Sequence, residues 1–248
     1  DPAQALAVLT HRLAASPGPA PCLVQAPRDK VVRIDTLLPV QAGRFPWAGH
    51  LGLAMLPALV QALEGERASL VFTNTRAQTE LWYQALLEAR PDWAGLIALH
   101  HGSLERETRE WVEAAIGSGR LKVVVATSSL DLGVDFSPVA RVFQIGSPKG
   151  VARLLQRAGR AGHQPDGQPR VTLVPTHAFE IAESLAAQTA VAQGLIEARE
   201  PPQAPMDVLV QHLATRVLGQ PLEGQTLWAE VRQAWSYRDL PRTAFGWA

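Results

Sequence analysis

The chain has 248 residues, 47% of them apolar, with 23 basic and 23 acidic side chains, so its net charge is zero and its pI is near 7.2. A core of useful size is available, while a basic coat for nucleic acid and a transmembrane helix of ~18 apolar residues are excluded. A single cysteine, Cys22, excludes an internal disulfide and a cysteine-based zinc site, and it fits a reducing compartment. The start Asp1-Pro2-Ala3-Gln4 lacks the basic and apolar run of a signal peptide, and Asp1 in place of Met suggests a fragment or a processed chain. The basic residues are 20 Arg against three Lys, a ratio that genome composition explains as well as phosphate recognition does.

Residues 1–29 are Ala- and Pro-rich, and Ser16 to Pro21 reads as a loop. Val31 to Ile34 reads as a strand. From Gly52, Leu53, Leu56, Val60 and Leu63 recur at helical spacing, with Pro57 early in the helix or kinking it. Strands then alternate with helices. Strands are expected at 70–72, 96–99, 123–125, 142–145 and 171–174, and helices at 77–88, 105–116, 151–158 and 178–197. Such alternation predicts an α/β fold, a parallel sheet with helices on both faces. Pro201, Pro202 and Pro205 mark a break, after which 206–218 and 225–235 read as helices of a small module.

In a parallel sheet the strands' C-terminal ends share one edge, where ligands bind. Polar segments are expected there: Thr73-Asn74-Thr75-Arg76, His100-His101-Gly102-Ser103, Thr127-Ser128-Ser129, and Gln156 to His163 on the helix after strand 142–145. Thr73, Asn74 and Thr127 read either as helix caps or as a row of phosphate-sized cups. Arg157 and Arg160, three apart, share a helix face. Gly159 and Gly162, interleaved with them, are small enough to admit a bulky anion. All these loops are expected to open onto one rim. His100 and His101, as strand neighbours, point to opposite faces and do not share a metal ion. Trp82 and Trp111 read as packing, and Trp228 and Trp235 as packing or as stacking surfaces. Cys22 is given no role.

Taken together, these segments resemble the second RecA-like motor domain of a superfamily 2 helicase. Ser69 to Arg76 is similar to motif IV, and His100 to Leu104 to the segment after it. Ala126 to Asp135 is similar to motif V, and Gln156 to His163 to motif VI. The wording resembles the large helicase-related (Lhr) family, most of all its bacterial branch of ligase-associated DEXH-box helicases. Trp47-Ala48-Gly49-His50 and Asp207 to Leu213 add to this likeness, which runs from about Leu37 to Asp239. The resemblance implies a RecA-like domain over 1–200 with an N-terminal linker, then a partial winged-helix module over 201–248.

It implies roles as well. Arg160 matches the arginine finger that reaches the γ-phosphate of ATP held on the first motor domain. Gln156 matches a residue near that phosphate, and Arg157 a partly structural arginine of the catalytic motif. Gly133 and Asp135 match a nucleotide-facing step whose carboxylate faces the ribose and the finger. Thr127 matches a hydroxyl on a nucleic-acid phosphate. Thr73, Asn74, Arg76 and Gly102 fall where the family touches the backbone of the tracking strand. His163 stands where many members carry a second arginine, so its role there would vary with pH.

The three lysines are followed by Val31, Val123 and Gly150, so the chain has no P-loop, and no Asp-Glu pair for magnesium occurs either. The implied reading is an ATP-dependent DNA helicase fragment that is inactive alone, with ATP and Mg²⁺ bound mainly by the first motor domain. Its implied partners are single-stranded DNA and the rest of the same protein, in a bacterial cytoplasm and away from membranes. The family implies 3′-to-5′ travel and a link to repair. A non-catalytic nucleic-acid clamp stays open as the alternative. An unrelated α/β enzyme is disfavoured, because neither G-x-S-x-G nor a G-x-G-x-x-G loop after a strand is present.

Overall fold

The computed structural model describes residues 2–11, 22–24, 31–39, 45–49, 51–131, 136, 138–162 and 167–248. Within them the chain divides into two units, Arg28–Glu197 and a second made of Asp1–Pro27 with Ala198–Ala248. The division falls three residues before the boundary expected at 200. The described residues of the N-terminal segment, 2–11 and 22–24, fall in the second unit. They include a helix that was not anticipated, α1 (Pro2–Thr10), none of whose residues is fully buried.

The larger unit is a six-stranded sheet in which every neighbouring pair is parallel: β1 (Arg33–Thr36), β2 (Ser69–Phe72), β3 (Ile97–His100), β4 (Val123–Ala126), β5 (Arg141–Ile145) and β6 (Arg170–Val174). The spatial order is β1-β6-β5-β2-β4-β3. All six strands were legible to within about two residues, because strands buried on both faces are continuous apolar runs. Alternation along each strand separates two cores. Leu70, Phe72, Val124, Ala126 and Val142 face Val112 and Ile116 of α4 (Arg106–Gly117) and Leu154 of α5 (Val151–Ala158). Val71, Val123, Val125 and Phe143 face Leu59 and Leu63 of α2 (Leu56–Glu64) and Trp82 and Leu86 of α3 (Arg76–Ala89).

Pro57 does not kink α2. It occupies the first turn, where no intrahelical donor is lost. The helix expected over 178–197 is α6 (Ala178–Ala192) and stops early. Gly194, at φ 69°, donates to Val191 O (3.0 Å), and Leu195 donates to Ala190 O (2.8 Å), the paired bonds of a glycine-terminated helix end.

The smaller unit contains α7 (Met206–Gly219), α8 (Gly224–Val231) and α9 (Arg242–Trp247), closed around Leu209, Val231 and Leu240. Trp228 packs here, edge-on to Phe245 with ring centroids 5.3 Å apart. Trp82 is fully buried and donates its indole N–H to Leu51 O (2.8 Å). Trp111 departs from expectation: it lies on the outer face of α4 and is 52% exposed. No helix among the described residues is long and apolar enough to cross a membrane.

Candidate nucleic-acid and nucleotide interfaces

The register fixes one edge of the sheet. Phe72 lies level with Ala126 and Gln144, and His100 level with Ala126. The residues that follow therefore emerge side by side, at about 4.8 Å per strand. Across the sheet they come in the order His101–Ser103, Thr127–Ser129, Thr73–Arg76, Gly146–Gly150, then Thr176–Phe179.

The individual positions differ in access. Thr73, expected to touch a nucleic-acid backbone, is fully buried. Its hydroxyl lies 2.7 Å from Thr79 Oγ1 and donates to Thr75 O (3.2 Å), and its N–H donates to Ala126 O (2.8 Å). As the last residue inside the sheet layer it spends its polar groups on the fold, so a side-chain contact to a ligand is corrected here. The cap of α3 is Thr75, which accepts from Gln78 N–H (3.2 Å), while Gln78 Oε1 accepts from Asn74 N–H (3.1 Å). This is a near relative of the capping box. Asn74 is exposed, and its amide donates to Ser147 O across the sheet edge (2.9 Å). Arg76, 62% exposed, donates to Ser103 Oγ (3.0 Å) and pairs with Glu80 (3.9 Å). Gly102 is exposed, with nothing within 4 Å of where a Cβ would stand. Thr127 is half-buried and does not cap the 3-10 turn Ser128–Leu130; its hydroxyl donates to Ser129 Oγ (3.3 Å) and its N–H to His100 O (3.1 Å).

His100 holds this turn from below. It is 1% exposed, with Nδ1 2.7 Å from Ser129 Oγ and Nε2 3.0 Å from Glu113 Oε1. Burial pushes its pKa below the usual 6.5, opposed by Glu113 and assisted by Arg109 and His101. The unfolded chain therefore takes up a proton near pH 6.5 that the folded chain refuses, and stability falls as pH drops below that value. His100→Asn is expected to flatten the fall in melting temperature between pH 7 and pH 5. Parallel curves for the two proteins would show that His100 is not the titrating group. His101 turns the other way, toward Glu80 (3.5 Å). Among the described residues no group of three or more His, Cys, Asp or Glu could hold a metal ion.

The motif VI segment does not open onto this edge. α5 starts there, at Val151, and runs back across the sheet for about 12 Å. Gly162 N–H then bonds to Val139 O (3.2 Å), two residues before β5 begins. Gln156 and Arg160 thus sit toward the strands' starting edge, and the single rim expected from the sequence is replaced by two regions. The reason is that a helix following a strand must return antiparallel to it. The segment from Thr127 to Asp131 leaves the first region and joins the second.

Arg157 makes that join. It is 1% exposed, and its Nε and Nη2 donate to Asp131 (2.8 and 3.3 Å). Its Nη1 donates to Gln144 Oε1, and its guanidinium lies over the Phe72 ring (4.6 Å). The Arg157 guanidinium, read from the sequence as a partly structural member of the catalytic motif, is thus occupied inside the fold. Gln156 is exposed, and Arg160, four residues on and just past the end of α5, is half-exposed. Gly162 is not there to admit an anion. It has φ 73°, and a Cβ would stand 2.6 Å from Pro169 N. Gly133, Asp135 and His163 lie outside the described residues, as does His50. The sequence reading missed Asp131 and Gln144 as the partners of Arg157; a buried arginine's need for a carboxylate was the available signal.

This parallel sheet, with its polar strand ends and its returning arginine helix, defines the C-terminal motor domain of a superfamily 2 helicase. Residues 53–164 match the helicase conserved C-terminal domain, and residues 189–248 match the winged helix domain of the large helicase-related protein. The chain belongs to the large helicase-related (Lhr) family. It is 35% identical over 193 residues to the ATP-dependent helicase Lhr-Core protein 2 of Thermococcus barophilus, covering 78% of this chain and 22% of that one. It is 34% identical over 216 residues to ATP-dependent helicase Lhr-Core of Methanothermobacter thermautotrophicus, covering 86% of this chain and 25% of that one. The structure of Mycobacterium smegmatis helicase Lhr bound to ssDNA and AMP-PNP superposes with a TM-score of 0.81 at 32% identity, over 89% of this chain and 29% of that one. The chain thus spans about a quarter of the length of these relatives.

Proposed function

We propose that this chain is the trans-acting half of an ATP-driven DNA motor, within the ligase-associated bacterial branch, with its RecA-like domain ending near residue 200. Asn74, Arg76, Gly102 and Thr127 hold the phosphates of a single strand, while Gln156 and Arg160 face a nucleotide carried by the first motor domain. The observation that carries the reading is the coupling of the two regions through Arg157 and Asp131. The buried Arg157–Asp131 contact ties the end of the 3-10 turn beside Thr127 to the last turn of α5, which Arg160 follows. The M. smegmatis relative, caught with ssDNA and AMP-PNP, supports both ligands.

A bound nucleoside triphosphate with its magnesium supplies the free energy of phosphoryl transfer. This chain's part is to present the Arg160 charge and the Gln156 amide to it. Closure of Arg160 onto the partner domain then displaces the phosphate row. Backbone contacts position a strand without reading its sequence. Alone, the chain hydrolyses no ATP, since it has neither P-loop nor acidic pair. The clamp alternative shares the phosphate row and differs in lacking a P-loop partner, which the reading frame upstream of Asp1 decides.

The test is binding of the 1–248 chain to single-stranded DNA across a salt series. Arg76→Ala is expected to lower the log–log salt slope by about 0.7, one phosphate contact on a single strand. Thr127→Ala should weaken binding with the slope unchanged. A slope identical in wild type and Arg76→Ala removes Arg76 from the track.

A further inference from the structure

Two large aromatic side chains stand out at the strand-end edge beyond the phosphate row. Trp47 is 73% exposed and Phe179 62%, with ring centroids 5.9 Å apart and planes inclined by 59°. The backbone beneath them is pinned. Ala178 N–H donates to Pro46 O (2.8 Å), Thr176 Oγ1 donates to Gly49 O (3.2 Å), and Trp82 donates to Leu51 O. Gly52 closes the segment at φ 72°, where a Cβ would stand 2.8 Å from Thr176 Cγ2. The rings are therefore held out by a fixed support. An exposed aromatic pair forgoes the gain of burial, and a patch of this kind marks a surface that is covered in use.

Position says what covers it. Glu180, one residue past Phe179, accepts from Ser147 N–H (2.9 Å) and from Thr176 N–H and Oγ1 (2.7 and 2.8 Å). The carbonyl of Ser147 accepts the Asn74 amide. Two hydrogen-bonded steps thus join the aromatic pair to the end of the phosphate row, and β6 stands two strands from β2, about 10 Å along the edge. We propose that Trp47 and Phe179 form a stacking platform for the bases of a single-stranded nucleic acid leaving the row at Asn74. This inference rests on the proposed track. Stacking engages the face of any base, so the platform adds affinity without sequence preference.

The experiment compares two oligomers of equal length, an oligothymidylate and an abasic deoxyribose-phosphate chain, binding to the 1–248 protein. Wild type is expected to prefer the thymidylate by fivefold or more. Trp47→Ala and Phe179→Ala each reduce that preference while keeping the wild-type salt slope, and Trp47→Tyr retains it. Arg76→Ala weakens both oligomers and lowers the slope. If the two alanine variants keep the full preference while Arg76→Ala still lowers the slope, the platform is wrong and the track stands; the rings are then covered by protein. If neither oligomer binds, platform and track fall together.

Discussion

Arg157→Ala is expected to destabilise the Arg28–Glu197 unit by about 3–5 kcal/mol, the usual cost of removing one partner from a buried ion pair. The estimate is large because the lost side chain has three dependants. Asp131, 10% exposed, keeps Arg153 at 3.8 Å as its one ion-pair partner among the described residues. Gln144 loses the donor to its Oε1, while its Nε2 stays engaged with Ile145 O and Gly146 O (2.8 and 3.2 Å). The Phe72 ring loses the guanidinium stacked on it. For a unit of this size each kcal/mol moves the melting temperature by roughly 2–4 °C, so calorimetry of the two proteins reads the effect directly.

The same geometry predicts how the loss can be relieved. Arg157→Lys should recover little, because an ammonium cannot reproduce the forked contact to both Asp131 oxygens. The double variant Arg157→Leu with Asp131→Leu should be more stable than Arg157→Leu alone, since no buried charge is then left without a partner. Equal stability of the single and double variants would mean that the stranded Asp131 carries no penalty.

What the sequence disclosed, and what it withheld, follows from the range of the forces involved. The strands were legible because Leu70-Val71-Phe72 and Val123-Val124-Val125 are buried on both faces, which leaves an unbroken apolar signature. The family was legible because four polar segments recur in order at strand and helix ends. The burial of Thr73 was not legible, since a hydroxyl one residue beyond a strand looks the same whether it faces a ligand or Thr79. Nor was the split between two edges, which depends on the path of α5 back across the sheet. α1 escaped notice because its sequence, Pro2 to Thr10, has no strongly apolar face, and its half-buried positions depend on tertiary context. Arg157 was recognised as partly structural, but Asp131 and Gln144 lie 26 and 13 residues away. No local pattern couples them.

Arg160→Ala, made in the protein that also contains the first motor domain, is expected to lower the ATP hydrolysis rate by about a thousandfold or more, the range of an arginine finger. The argument rests on where Arg160 stands. α5 ends at Ala158, and Arg160 follows in a tight turn that its own N–H closes onto Arg157 O (2.9 Å). That turn is anchored through the buried guanidinium of Arg157, so the half-exposed Arg160 follows directly on a fixed base. A charge held in advance stabilises a transition state without reorganisation at the moment of reaction. Binding of single-stranded DNA should be unchanged within about twofold, because the phosphate row lies at the other edge of the sheet. Arg160→Lys should restore little, as the planar fork is lost. Arg157→Lys should instead lower both hydrolysis and the melting temperature, which separates a positioning arginine from one that touches the nucleotide. A hydrolysis rate within tenfold of wild type for Arg160→Ala would place the finger elsewhere.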